Sequence, residues 1–141
     1  MKLPTKVRYG MRAMVELARQ ENTQPVMLRA IAERQNLPEK YLEHLFSALR
    51  TAGLVTSERG SRGGYRLARP ADEITALDIY TALDGDLELI ACAARPEQCA
   101  YREDCATVGL WREMEDAIRT VLAGKTLKVL AAAGGESMYF I

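Results

Sequence analysis

Residues 31–55 read "IAERQNLPEKYLEHLFSALRTAGLV", and everything that can be said of the architecture grows from how this run is broken. Leu28, Ile31 and Ala32 recur at helical spacing, which places them on one face of a short helix. Asn36 followed by Pro38 interrupts it, because an asparagine tolerates a left-handed turn and a proline pushes the preceding residue out of the helical region. Pro38 then stands at a favoured first helical position. Leu42, Leu45, Phe46 and Leu49 form the apolar stripe of a second helix, which stops at Gly53. Two short helices joined by a tight turn are a helix-turn-helix.

The flanks complete the unit. Upstream, "TKVRYGMRAMVELARQ" (residues 5–20) sets Val7, Met11, Met14, Leu17 and Ala18 at helical spacing, with Thr5 expected as N-cap. Downstream, "LVTSERGSRGGYRLA" (residues 54–68) has two short apolar runs, Leu54–Val55 and Tyr65–Leu67, separated by a glycine-rich tip. This predicts a β-hairpin. A phosphate cradle or an RNA-clamping loop would need helices beside the glycines, and here strands flank them. The expected fold is therefore mainly α with a small β-hairpin wing: a winged helix-turn-helix.

Charge agrees with a nucleic-acid partner. The formal net charge is zero, but Met1 to Arg69 carries thirteen Lys and Arg against six Asp and Glu, and the remainder carries six against thirteen. The basic half suits a polyanion. On a winged helix the second helix enters the major groove, which presents Lys40, Tyr41, Glu43 and His44 to double-stranded DNA. Lys40 and Tyr41 suit phosphates, Glu43 can accept from a cytosine amino group, and His44 can donate to a purine acceptor. The plainer account of Glu39 and Glu43 is that they favour the helix N-terminus electrostatically. Arg59 and Arg62 flank the wing tip, where an arginine can enter a narrow minor groove; plain solubility is the alternative.

The acidic half opens with "EITALDIYTALDG" (residues 73–85), a helix expected from Ile74 to Asp84 that packs on the winged helix through Ile74, Leu77, Ile79, Tyr80 and Leu83. Further on, "CATVGLWREMEDAIRTVLAG" (residues 105–124) carries Leu110, Trp111, Met114, Ile118, Val121 and Leu122 on one stripe. The other elements leave little surface to cover that stripe within one chain, so it is expected to be a long dimerisation helix of a homodimer. The expected organisation is residues 1–84 as DNA-binding unit with its packing helix, 85–105 as a cysteine-bearing loop, 106–132 as dimerisation helix and short terminal helix, and 133–141 as a tail.

All three cysteines fall in "CAARPEQCAYREDC", Cys92 to Cys105. A chain of 141 residues can bury a core without disulfide staples. No apolar run is long enough to span a bilayer, and the first residues lack the pattern of a secretory signal. A cytoplasmic protein is expected, in which clustered thiols bind metal or respond to redox state rather than bridge. The spacing C-x6-C-x5-C fits neither structural zinc nor a thioredoxin motif. Three thiolates on one polar loop can surround an iron–sulfur cluster, with Cys92, Cys99 and Cys105 as ligands and a fourth ligand still to be supplied. Glu97, Glu103 and Asp104 are nearby oxygen donors; the only histidine, His44, lies on the second helix of the helix-turn-helix. A cluster-free thiol switch, a zinc site and a small electron-transfer protein are the alternatives. An enzyme has little support, for no nucleophile with a plausible base and no dinucleotide fingerprint is present.

Taken together, "KVRYGMRAM", the run from Ile31 to Val55, "SERGSRGGYRLARP", "EITALDIYTALDG", the three cysteines and "LWREMEDAI" leading to "TLKVL" resemble the bacterial winged-helix transcription regulators of the IscR, NsrR, RirA and CymR family. The resemblance covers nearly the whole chain. It implies a homodimeric transcription factor whose loop cysteines hold a [2Fe-2S] or [4Fe-4S] cluster, the former placed ahead. It also implies Cys92, Cys99 and Cys105 as ligands, and DNA contacts at Tyr41, Glu43, His44, Arg59 and Arg62. Two positions depart from the family's branches. Val108 stands where the IscR branch has a histidine, and Arg8 falls in the first-helix region where the NsrR branch has a ligating aspartate. The first cysteine gap is also six residues where five is common.

Overall fold

A computed structural model describes residues 2–20, 24–90, 97 and 105–134. Three helices build the head: α1 (Thr5–Gln20), α2 (Leu28–Gln35) and α3 (Glu39–Thr51). The Pro4 carbonyl accepts from the N–H groups of Val7 and Arg8, at 3.1 and 3.2 Å, so Thr5 is the first helical residue and not the expected N-cap. Between α2 and α3, Asn36 takes the left-handed conformation at φ 54°, and Leu37 N–H returns to the Ala32 carbonyl at 3.0 Å. Pro38, at φ −62° and ψ 130°, caps α3 instead of starting it, because its extended ψ places it just outside the helix. The expected stripe of α3, Leu42, Leu45, Phe46 and Leu49, is buried.

The wing consists of β1 (Val55–Glu58) and β2 (Gly64–Leu67), antiparallel, with Val55 opposite Leu67. It has an unforeseen third partner. Val26 and Tyr65 exchange both backbone bonds, at 2.9 and 2.8 Å, which fastens the wing to the segment leading into α2. Gly64 permits this approach, since a Cβ there would overlap the Val26 carbonyl. The Tyr65 ring also lies 4.8 Å from that of Phe46, so wing and α3 share a core.

A short 3-10 turn (Ala71–Glu73) leads to α4 (Ala76–Asp84), followed after the cysteine segment by α5 (Val108–Ala123) and α6 (Leu127–Ala133). Ile74, expected to open α4, is extended instead: its carbonyl accepts from Leu127 N–H at 2.7 Å while Thr75 caps the helix. Leu127 is fully buried and belongs to the same core cluster as Val7, Met14, Leu17 and Ile79, so α6 closes back on the head. On α5 the apolar stripe divides. Ile118 and Leu122 pack on the core, whereas Leu110 and Val121 are 51% and 60% exposed. Residues 135–141 of the expected tail lie outside the described residues.

Candidate nucleic-acid interface and cysteine segment

Burial of one face of α3 turns Lys40, Glu43 and His44 outward together, with Ser47 one turn further on. Ser47 was not anticipated; its spacing of four from Glu43 and three from His44 is the signal that places it there. Tyr41 behaves differently. It is half-buried, its ring edge-on to that of Tyr9 at 6.1 Å and 87°, so its body belongs to the α1–α3 contact. At the wing tip Gly63 N–H closes a turn onto the Gly60 carbonyl at 3.0 Å, and Arg59 and Arg62 project from it, both exposed.

Ion pairing separates the basic side chains. Arg66 bonds Glu58 across the wing at 2.8 Å, Arg34 is held by Glu16, Arg69 faces Asp78 at 3.5 Å and Lys6 faces Asp84 at 3.1 Å. Among the described residues no carboxylate pairs with Lys40, Arg59 or Arg62. The cations without a carboxylate partner include Lys40 on the outward face of α3 and Arg59 and Arg62 at the wing tip, where phosphates of a duplex would supply the counter-charge.

The cysteine segment is gripped by α5 where it begins, and it ends against Thr107, the residue just before α5. On entry, Leu89 N–H donates to Glu115 Oε1 at 2.7 Å, and Arg119 Nη2 donates to the Leu87 carbonyl at 3.3 Å. Glu115 is buried, at 7% exposure, and Leu87 is part of the core. Sequence reasoning missed both α5 residues, although a carboxylate set between Trp111 and Ile118 in an apolar stripe was the available clue. On exit, Cys105 Sγ lies 3.4 Å from Thr107 Oγ1. The Thr107 hydroxyl, then the Thr107 and Val108 amides at the start of α5, hold the Cys105 thiol below its ordinary range. A thiolate there is a suitable soft donor for iron or zinc and a reactive nucleophile without either. Cys92 and Cys99, with Glu103 and Asp104, lie outside the described residues, while Glu97 is exposed. Val108, where a ligand histidine was sought, is half-buried as the first residue of α5.

The family model described as "Rrf2: Iron-dependent Transcriptional regulator" matches residues 3–133. The chain belongs to the Rrf2 family. Among Rrf2 relatives, the HTH-type transcriptional regulator CymR of Bacillus subtilis is 43% identical over 132 residues, covering 94% of this chain and 91% of that protein. The HTH-type transcriptional regulator IscR of Photorhabdus laumondii is 40% identical over 130 residues, covering 92% and 79%. The solved structure of CymR, titled the global cysteine regulator of B. subtilis, superposes with a TM-score of 0.78 at 40% identity over 96% of this chain and 99% of that one. This Rrf2 protein is accordingly a winged-helix, DNA-binding transcriptional regulator, and its relatives are regulators and not enzymes. Among the described residues no helix is long and apolar enough to cross a membrane.

Proposed function

We propose that the protein is a homodimeric regulator whose affinity for a double-stranded DNA operator is set by an iron–sulfur cluster held by Cys92, Cys99 and Cys105, with [2Fe-2S] placed ahead of [4Fe-4S]. The observation that carries the proposal is the grip of α5 on the start of the cysteine segment through Glu115 and Arg119, with Cys105 at its end set against Thr107, the cap position of α5. Helix α5 in turn packs Ile118 and Leu122 on the core that α3 and α4 share. Whatever orders the cysteine segment therefore bears on the element that positions the reading helix. Linkage of this kind typically changes affinity by about 1–3 kcal/mol. When bound, the cluster would supply a redox-sensitive and nitric-oxide-sensitive centre. The chain's own part is to present thiols, to lower the pKa of the Cys105 thiol through Thr107, and to pass the order of the loop along α5. Lys40, Arg59 and Arg62 hold phosphate and minor groove, Glu43 and His44 read base edges, and Tyr41 offers its hydroxyl from the edge of the α1–α3 contact. The uncovered Leu110 and Val121 are the dimer surface.

A second reading, a cluster-free thiol switch, is favoured by the likeness to a relative titled a cysteine regulator and by the lowered Cys105 thiol. One preparation separates the two. Protein purified without oxygen is assayed for visible absorption, iron, sulfide and zinc, beside Cys99→Ala. Iron with equimolar sulfide, lost in the variant together with the oxygen-dependent change in operator affinity, is the expected outcome. Colourless, iron-free protein after an attempted cluster rebuild overturns the cluster; a thiol-oxidant response that survives in that protein establishes the switch.

A further inference from the structure

We infer that Arg12 is a positioning residue for DNA reading, joining the apolar groove along α1 to the turn in front of α3. The inference rests on the DNA-reading role of α3. Arg12 Nε donates to Gln35 Oε1 at 3.0 Å and Nη2 donates to the Gln35 carbonyl at 2.8 Å. One guanidinium thus fixes both the side chain and the backbone of the last residue of α2. The next residue is Asn36, the one non-glycine position with positive φ among the described residues, and Glu39 begins α3 three residues on. A planar fork sets direction as well as attraction, which a single charge does not.

The far side of Gln35 is fixed as well. Its Nε2 donates to Glu16 Oε2 at 3.5 Å, while Glu16 Oε1 accepts from Gln20 Nε2 at 2.7 Å and from Arg34 Nε at 2.5 Å. Glu16 is 2% exposed and Gln35 9% exposed. An apolar pair at these sites would bury surface without desolvating polar groups; the polar network adds one defined register between α1 and α2. Arg12 reaches α3 by a second route. Its guanidinium carbon stands 5.4 Å from the centre of the Tyr9 ring, which meets Tyr41 edge-on.

Arg12 also lines a groove of about 600 Å³ with Met11, Val15, Leu122 and Leu130. Leu122 belongs to α5, the helix that grips the cysteine segment. A displacement of α5 therefore reshapes the groove that this side chain lines, and a response of Arg12 reaches α3 through Gln35 and Tyr9.

The test uses the full chain as wild type, Arg12→Ala, Arg12→Lys and Arg12→Ala with Gln35→Ala, titrated against a duplex enriched by the wild type from random sequence and against a scrambled duplex of equal length. Arg12→Ala is expected to lower affinity for the enriched duplex about tenfold, within the range of mutations that alter coupling, and for the scrambled duplex less than about twofold. The salt slope stays unchanged, lysine fails to restore affinity, and the double variant is no weaker than Arg12→Ala. Equal losses on both duplexes with a slope reduced by about one would make Arg12 a phosphate contact and overturn the inference. So would unchanged affinity. Hydrogen exchange on the free protein judges the geometry separately from DNA reading: the Asn36 and Leu37 amides must exchange faster in Arg12→Ala, and unchanged exchange overturns the inference even where the wild type enriches no sequence.

Discussion

At Cys105, a hydroxyl and two amides act on one sulfur, and their order of effect decides the thiol's chemistry. The Thr107 hydroxyl contributes most, ahead of the backbone of Thr107, and burial opposes both. A depressed thiol pKa means that the thiolate persists to lower pH and is lost only as pH falls through the lowered value. With Cys92→Ser and Cys99→Ser in place, metal-free Cys105 should react with iodoacetamide with a pH midpoint below the ordinary thiol value of about 8.5. Thr107→Val should move that midpoint upward; a midpoint at the ordinary value in the parent would remove the proposed thiolate. The cysteines themselves were legible as a candidate site from their crowding. The partner that tunes one of them was not, because Thr107 acts only once α5 begins where it does.

Among the elements, α4 shows how a helix start is chosen by side-chain hydrogen bonds against apolar periodicity. Ile74 continues the apolar spacing, yet Asp78 N–H donates to Thr75 Oγ1 at 3.1 Å and Thr75 N–H donates to Asp78 Oδ2 at 2.9 Å, a reciprocal cap that begins the helix after Thr75. Thr75→Ala should cost about 1 kcal/mol, read as a lower urea midpoint with unchanged slope; an unchanged midpoint would mean that the backbone bonds from Leu127 to Ile74 and from Ala76 to Lys125 hold this corner without the cap. The same logic explains the small displacements at Thr5 and Pro38. Spacing and breaker residues located each helix, while the end residue was chosen by which carbonyl or hydroxyl faced the free N–H groups. The pairing of Val26 with Tyr65 had no such local signal, since two residues this far apart in sequence meet only when the head is folded.

For the whole molecule, the division of the α5 stripe carries the largest consequence. Ile118 and Leu122 are spent on the chain's own core, and Leu110 and Val121 are left outside it. In the proposed homodimer a two-fold axis brings any substitution into the interface twice. Each buried, unpartnered carboxylate costs at least about 1–3 kcal/mol, so Val121→Glu should weaken dimerisation by roughly a hundredfold or more in sedimentation, with helix content unchanged; an unaltered dimer would move the interface off this face. By itself the sequence determined the helix-turn-helix, the wing, the basic head and the clustered thiols, because each is written in local spacing, turn chemistry or composition. Tertiary structure alone decided which cations lack a carboxylate, how Glu115 and Arg119 hold the way into the cysteine segment, and how Arg12 reaches Gln35 and Tyr9 at once. Those facts depend on side chains distant in the chain meeting across helices, and no periodicity within one segment encodes such a meeting.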